Sequence, residues 1–216
     1  MKVYPIQIEV AGPLALFSRP DTGGAPTSFP VPTWSAAKGI FESIAMLRSG
    51  SAWICPTQVE VCRYKSDLRR GAVHYQRYAF NYGGPLRKDD QVSKGNALQV
   101  FSTVLSEVCF RLHAEIRGDK NRSRHNGINP CHQLQEMFNR RLMVGQCHRT
   151  PSLGLSEFTA TYWGPFREEI TEVDKILKLR IPSLLISPFS IPINGVFAPK
   201  FQSNAQIKEG RLVYDS

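Results

Sequence analysis

Five histidines are the side chains of this chain best suited to proton transfer near neutral pH; they are His74, His113, His125, His132 and His148. Imidazole is the side chain whose ordinary pKa lies closest to 7, so it serves as general acid or general base without a metal. Metal-free acid–base catalysis needs one group to accept a proton and another to donate one. The histidines are therefore the candidate acid–base groups of such a reaction.

His132 is the foremost candidate because it lies in the first turn of a predicted helix. Asn129 is a typical N-cap, and Pro130 fits the first helical position without losing a hydrogen bond. Free N–H groups at a helix N-terminus attract phosphate. His132 either contacts a scissile phosphate or has a capping or packing role. His113 alternates onto the polar face of a predicted strand, which favours a half-buried structural histidine.

Metal chemistry is not indicated by the spacing of the ligand-type residues. Cys131-His132 and Cys147-His148 each join a thiol and an imidazole. Adjacent residues seldom ligate one metal, and the C-x-x-C spacing is absent. No metal and no cofactor is predicted. A Cys–His nucleophile stays open, although no third orienting group is identifiable.

Positive charge is concentrated in two segments of a chain whose formal net charge is +9. Residues 63–94 hold eight Lys or Arg against three Asp, and residues 117–149 hold seven against two acidic residues. The remainder is close to neutral. This segregation favours a polyanion partner, with nucleic acid the leading class. The alternative is a solvated basic surface.

The predicted elements follow from hydrophobic periodicity. They are strands at 3–10, 53–61, 108–116 and 158–162 and helices at 34 to about 48 and from 130 to Gly145, which is placed to end the second helix. The buried helix faces are predicted to be Ala37, Ile40, Phe41, Ile44 and Leu47, and Leu134, Met137, Phe138 and Leu142. Residues 63–97 have no clean period and are interpreted as an extended basic hairpin.

This order of elements predicts an α+β fold, a modified ferredoxin-like βαββαβ domain of the kind that RNA-recognition modules use. The predicted domain covers residues 1–163 with an insert at about 63–97, and residues 164–216 form a small C-terminal β extension. No signal peptide or membrane span is predicted. Five scattered cysteines predict reduced thiols in a cytoplasm.

Tyrosines alternate with arginines in the insert, at His74-Tyr75, Arg77-Tyr78 and Tyr82. Arginines neutralise phosphates, and each aromatic ring stacks one base with about 1–3 kcal/mol. The insert therefore suits single-stranded RNA. The alternative is that these rings cover a neighbouring sheet.

The chain resembles the CRISPR-associated Cas-five family of type I-C (the Dvulg subtype of the RAMP superfamily). Four patches carry the likeness: Gly12–Phe17 with Arg19-Pro20, Pro32–Ile44, Arg63–Ser66 with Arg69-Arg70, and Met137–Phe158. The last patch is the most specific, because M-F-x-R-R, G-Q-C and P-x-L-G-x-x-E-F follow one another in order.

The resemblance implies binding of CRISPR repeat RNA, in particular the 5′ handle of crRNA, within a Cascade complex beside its backbone and large subunits. It also implies cutting of pre-crRNA within the repeat without a metal, by attack of the neighbouring 2′-hydroxyl on phosphorus. The residues predicted to bind RNA are Lys38, Arg63, Lys65, Arg69, Arg70, Arg77, Arg140, Arg141 and His148.

Two departures from the family pattern concern catalysis. Similar proteins place Tyr or His directly after the E-x-I of the first helix, where this chain has Ala45. They carry a Lys-His pair before the second helix, where the sequence of this chain is Asn129-Pro130-Cys131-His132. His132 matches the family histidine if two extra residues lie in the first helical turn; without that gap, Gln133-Leu134 take those places. A subunit that caps the handle without cutting is the alternative, and a basic DNA-binding protein is a third possibility.

Overall fold

The computed structural model describes residues 3–67, 71–82, 98–118, 129–189 and 196–215. Its elements within those ranges are β1 (Pro5–Ala15), α1 (Trp34–Ile44), β2 (Ala52–Tyr64), β3 (His74–Tyr82), β4 (Leu98–Gly118), α2 (Pro130–Val144), β5 (Tyr162–Gly164), β6 (Thr171–Val173), β7 (Leu179–Phe189), β8 (Phe197–Ile207) and β9 (Arg211–Val213). A short 3-10 turn, Lys65–Asp67, follows β2.

The larger sheet is antiparallel and is built around β4. Its strand order is β5-β1-β4-β2-β6, with β3 also paired to β4 and β9 also paired to β2. β7 and β8 form a separate two-stranded sheet. The chain is therefore a mixed α/β protein with mostly antiparallel strands and two helices in its described part.

Alternation along the strands divides the residues of the sheet between its two faces. Ile8 and Leu112 face the helices and join the main core with Trp34 and Phe41 of α1 and Phe138 of α2. The Phe41 and Phe138 rings lie 5.7 Å apart. The predicted apolar faces of both helices are confirmed, although Leu47, Met137 and Leu142 are only half-buried.

Both helix starts are as the sequence predicts. Thr33 caps α1 by accepting a hydrogen bond from the Ala36 N–H, and Asn129 caps α2 by accepting from the Cys131 N–H. Gly145 ends α2 at a left-handed φ of 69°, where a side chain would be strained.

Several predicted boundaries differ from the structure. Helix α1 ends at Ile44 rather than near residue 48, because Ala45 is extended at φ −151°. The predicted 158–162 strand is found as β5, which begins only at Tyr162 and pairs with β1. β1 and β4 extend beyond their periodic cores because ladder hydrogen bonds continue where the alternation fades. Among the described residues, no helix has the length and apolar character to cross a membrane.

Candidate nucleic-acid interface

A cleft opens where β2 ends and β3 begins along the same edge of β4. The pairing of β2 with β4 stops at Val61↔Phe110, and that of β3 starts at His74↔Ser106. The intervening space has a volume of about 440 Å³ and is lined by Gly12, Pro13, Cys62, Arg63, Tyr64, Ser66, Gly71, Ala72, His74, Glu107 and Thr161. We call it the β2–β3 cleft.

Glu107 lies in this gap with a left-handed backbone at φ 51°. That conformation costs a non-glycine residue about 1–2 kcal/mol. Strain of this kind persists where the surrounding structure enforces it, and it concentrates at functional sites. Its position in the wall of the β2–β3 cleft marks the cleft as the foremost candidate site.

Arg63 connects this cleft to a second depression, which we call the basic groove. The groove has a volume of about 450 Å³ and is lined by Arg63, Lys65, Arg111, Glu168, Thr171, Glu172, Val173, Lys175 and Arg211. Five cations therefore face two carboxylates. A surface with this excess attracts phosphate.

The cations of the groove differ in how far they are already neutralised. Arg63 is 2.8 Å from Glu172, and Arg211 is 2.8 Å from Glu60. Lys65 and Lys175 are exposed and have no ion-pair partner within the described ranges. These two lysines are the groups most available to a phosphate.

The floor of the groove is held by a buried carboxylate, Glu9, which is fully inaccessible. Its oxygens accept from Arg167 Nε at 2.7 Å, from Thr171 Oγ1 at 2.9 Å and from Arg111 Nε at 3.1 Å. The Arg167 guanidinium also lies 3.5 Å from the Tyr162 ring centroid. These bonds tie the 162–171 segment across the sheet face opposite the helices.

The pKa of Glu9 lies below its ordinary value despite its burial. Burial by itself raises the pKa, but the backbone N–H and guanidinium of Arg167 and the Thr171 hydroxyl lower it by more. The carboxylate is therefore charged at neutral pH. Sequence alternation places Glu9 on a polar strand face but gives no sign of its partners, which lie more than a hundred residues away.

Cys62 forms part of the cleft wall beside Cys109. A hydrogen bond between the two thiols raises the pKa of Cys62, and burial raises it further. The thiol is thus neutral at physiological pH, and a neutral thiol is a poor nucleophile. None of the five cysteines forms a disulfide bond.

His132 lies away from this cleft, exposed in the first turn of α2. Its ring centroid is 6.5 Å from that of Tyr4, whose hydroxyl accepts a hydrogen bond from the Asn129 amide at 2.9 Å. Among the described residues, no group of three or more His, Cys, Asp or Glu is placed to hold a metal ion.

The C-terminal end of α2 is engaged with the end of α1. Arg141 Nη1 donates to the Ile44 carbonyl at 2.7 Å, and the N–H groups of His148 and Arg149 both donate to the Ser43 carbonyl. These donors satisfy carbonyls that a helix C-terminus leaves open. The G-Q-C-H turn therefore has a structural task, while the Arg140 side chain is exposed to solvent.

Ala45 follows directly and is completely buried. Its methyl group has no proton to transfer. At the position where the family resemblance predicts Tyr or His, this chain therefore has a methyl group packed in the core.

The remaining predicted RNA contacts are scattered. Lys38 forms an ion pair with Glu42 one helical turn on. Arg77 is exposed on β3, and Arg69 and Arg70 lie outside the described residues. The structure brings Arg63 and Lys65 together in the basic groove but includes no α2 residue in either depression.

Sequence reasoning missed several members of these depressions. His74 is not in the predicted RNA-binding set but lines the β2–β3 cleft, and the sequence does not single out Glu107. Lys175 and Arg211 come from the C-terminal segment, which lacks a local charge excess. Strand alternation puts Glu9 and Arg111 on the polar faces of their strands, but only the register of β1 on β4 places them opposite each other.

The sequence profile described as "CRISPR-associated protein (Cas_Cas5)" matches residues 6–206 of this chain. The chain belongs to the Cas5 family. The matching profile is that of Cas5d, the type I-C branch, so the resemblance seen in the sequence is confirmed.

Two curated relatives carry the name "CRISPR pre-crRNA endoribonuclease Cas5d". The protein from Thermus thermophilus is 31% identical over 167 residues, covering 77% of this chain and 66% of the relative. The protein from Mannheimia succiniciproducens is 26% identical over 170 residues, covering 73% of this chain and 71% of the relative. The chain thus matches about two thirds of the length of these Cas5d proteins.

A solved structure titled "Crystal Structure of CRISPR-associated Protein" has the same fold. It superposes with a TM-score of 0.68 at 17% identity, covering 100% of this chain and 95% of that one. The alignment covers the whole of this chain, so the shared fold includes the part that holds β7 and β8.

Proposed function

We propose that this Cas5 protein binds CRISPR repeat RNA, recognises the 5′ handle of crRNA, and acts as a subunit of a type I-C Cascade complex. The observation that carries the proposal is the 31% identity to a protein named a CRISPR pre-crRNA endoribonuclease. The basic groove supports it, because Lys65 and Lys175 line the groove without an ion-pair partner among the described residues.

The strand order supports a modified ferredoxin-like fold. β1, α1, β2, β4, α2 and β5 follow the βαββαβ order, and their antiparallel sheet order β5-β1-β4-β2 matches that arrangement. In this interpretation, β3 belongs to the inserted basic hairpin of residues 63–97. The ferredoxin-like domain then covers residues 1–163, and residues 164–216 form the C-terminal β extension.

RNA binding is tested by titrating the protein with its cognate CRISPR repeat RNA. Because phosphate neutralisation releases counterions, affinity should fall steeply with salt. Duplex DNA of arbitrary sequence is the control. Equal affinity for that DNA and the repeat RNA, or no binding at low salt, would refute the proposal.

We further propose that the chain cuts pre-crRNA within the repeat, with His132 transferring a proton while the 2′-hydroxyl attacks phosphorus. His132 is exposed in the first turn of α2, so RNA can reach its imidazole. In this reaction His132 accepts the proton of the 2′-hydroxyl as the 2′-oxygen bonds to phosphorus. The bond from phosphorus to the 5′-oxygen breaks, and the 5′-oxygen leaves with a proton from the imidazolium or from water, giving a 2′,3′-cyclic phosphate. The cation of a nearby Lys or Arg would stabilise the phosphorane.

Cleavage is tested by incubating the protein with repeat RNA in EDTA. One cut that leaves a constant 5′ handle supports the enzyme. His132→Ala should abolish the cut and leave RNA affinity unchanged. Gln133→Ala is the matched control, since Gln133 is the exposed neighbour in the same turn; full cleavage by His132→Ala would remove His132 from the mechanism.

The alternative is a Cascade subunit that caps the handle without cutting. The buried Ala45 favours it, because no proton-transfer group occupies that position. Tight, salt-sensitive binding with RNA intact after long incubation would support this alternative. Contacts with the backbone and large Cascade subunits and a cytoplasmic location are part of both proposals.

A further inference from the structure

A third cleft lies on the other side of β3 from the β2–β3 cleft. It has a volume of about 580 Å³ and is lined by Arg19, Pro20, Asp21, Ser28, Phe29, Pro30, Tyr75, Leu179, Arg180, Ile181, Pro182, Ser183 and Phe201. We call it the aromatic cleft. Its volume falls within the range of about 300–1,000 Å³ that is usual for sites of small organic groups.

The pleat of β3 separates the two clefts. Successive side chains of a strand point to opposite faces, so His74 faces the β2–β3 cleft while Tyr75 faces the aromatic cleft. Arg77 shares the face of Tyr75, and so does Phe101, which pairs with Ala79. The His74 face also carries Tyr78 and Phe80, but their rings pack against Phe158, whereas the Tyr75 ring on the opposite face is 46% exposed.

Two aromatic rings of this cleft are accessible to solvent and are not buried in the hydrophobic core. Tyr75 is 46% exposed and Phe201 is 44% exposed. They come from β3 and β8, elements that are far apart in the sequence and that meet here across the 19–30 loop. Half-exposed rings on separate elements provide stacking surfaces for a planar group.

The charge of the lining favours an anionic ligand. Arg19 is neutralised by Asp21, which accepts two hydrogen bonds at 3.1 and 2.7 Å. Arg180 instead donates to the Asn204 side-chain oxygen, at 3.2 and 2.5 Å, so its position is fixed while its charge is not cancelled. Asn204 has a left-handed φ of 53°, a strained conformation next to the cleft.

We propose that the aromatic cleft holds an unpaired nucleobase of the bound RNA, stacked against Tyr75 and Phe201, with Arg180 at the adjoining phosphate. This inference rests on the proposed RNA-binding function and adds a second, base-directed site to the phosphate-directed basic groove. Stacking on aromatic rings tolerates any base, so the cleft contributes affinity for unpaired RNA more than sequence choice.

The test compares a single-stranded oligoadenylate of about ten nucleotides with an abasic strand of equal phosphate count. Both strands are titrated against the full chain and against Tyr75→Ala and Phe201→Ala. Each substitution should weaken oligoadenylate binding by about 5- to 150-fold, the equivalent of one base–aromatic stack of about 1–3 kcal/mol. Neither should change abasic binding, because only the backbone remains there.

Two controls separate stacking from damage to the fold. Tyr75→Phe keeps the ring and removes only the hydroxyl that donates to the Ser28 carbonyl, so binding should be kept. Phe197→Ala removes a 73% exposed ring from the same β8 strand but outside the cleft, and should also be silent. Thermal unfolding checks that all variants are folded.

The outcomes distinguish this inference from the proposed function. If the wild-type chain binds neither repeat RNA nor oligoadenylate, the proposed function fails. If it binds and Lys65→Ala weakens binding while Tyr75→Ala and Phe201→Ala do not, the aromatic cleft is not a base site. Equal losses for oligoadenylate and abasic RNA would also overturn the stacking role.

Discussion

The β2–β3 region and the α2 region are both rich in basic residues, but the structure uses their charges differently. Around α2, Arg141 and the N–H groups after Gly145 satisfy the open carbonyls of α1. Around the end of β2, Lys65 and Lys175 lie exposed at the mouth of a groove. The comparison teaches that part of the most family-specific motif in a sequence can serve the fold, here Arg141 and the turn after Gly145, while Arg140 of the same motif stays exposed.

The largest expected effect concerns the floor of the groove. Glu9→Gln removes the charge that compensates Arg111 and Arg167, and breaking such a buried pair costs about 3–5 kcal/mol. Urea unfolding at neutral pH measures the loss of free energy. Glu172→Gln is the control: that carboxylate pairs with Arg63 but is 36% exposed, so its loss should stay below about 1 kcal/mol. Equal losses would show that Glu9 does not anchor the groove.

The stability of the wild-type protein should also depend on pH through Glu9. Because its folded-state pKa lies below the ordinary 4.5, its contribution is complete above pH 4.5 and is lost as the pH falls toward the folded value. The pKa of Glu60 is also lowered, owing chiefly to His113, whose Nε2 lies 3.6 Å from the carboxylate, and this adds to the slope. Unfolding free energies measured below pH 4.5 should therefore fall less steeply for Glu9→Gln than for wild type. If the unfolding free energy of Glu9→Gln depends on pH as steeply as that of the wild type, the lowered pKa of Glu9 is contradicted.

The next largest effect tests the structural task of α2. Arg141→Ala should cost about 1.5–3 kcal/mol, the usual contribution of a hydrogen bond from a charged donor. Arg140→Ala, on the neighbouring exposed residue, should cost less than about 0.5 kcal/mol. Thermal and urea unfolding of the pair give the difference. A large loss of unfolding free energy in Arg140→Ala would show that Arg140, and not Arg141, has the structural role.

A smaller effect concerns RNA itself. Lys65→Ala should weaken RNA binding and reduce the slope of log affinity against log salt by about 0.7, the value for one phosphate contact on a single strand. Arg140→Ala should leave that slope unchanged. If the slope responds to Arg140 and not to Lys65, the RNA lies along α2 and the comparison between the regions is wrong.

The smallest effect is expected at Lys38. Its ion pair with Glu42 spans one turn of α1, and such pairs contribute about 0.3–0.5 kcal/mol. Lys38→Ala should therefore reduce stability by no more than this amount and leave RNA affinity unchanged. A clear loss of affinity would return Lys38 to the RNA-binding set that the sequence predicts.

Local signals in the sequence were sufficient for the helices. The Asn129-Pro130 start and the Gly145 end of α2 depend on neighbouring residues only, so they could be predicted. The end of α1 could not, because its carbonyls are satisfied by residues near 148, about a hundred positions further along the chain.

The candidate site depended on tertiary pairing to a greater extent. Arg63 and Lys65 could be picked out from local charge, but Arg211 reaches the same groove only through the pairing of β9 with β2. Tyr75 and Phe201 line the same aromatic cleft because β3 lies beside the β7–β8 pair. Hydrophobic periodicity cannot predict that these elements are neighbours. Sequence patterns identify which residues are available, and strand pairing decides which of them meet.

β4 forms two sets of strand pairs: its first half pairs with β3, and its second half pairs with β1 and β2. The left-handed Glu107 is the joint between those halves. The paired strands β3 and the first half of β4 are therefore connected to the rest of the sheet through the backbone at Glu107. A force on RNA bound at β3 would be transmitted to the middle of the sheet. Backbone amides on both sides of the joint should then exchange with solvent as one cooperative unit.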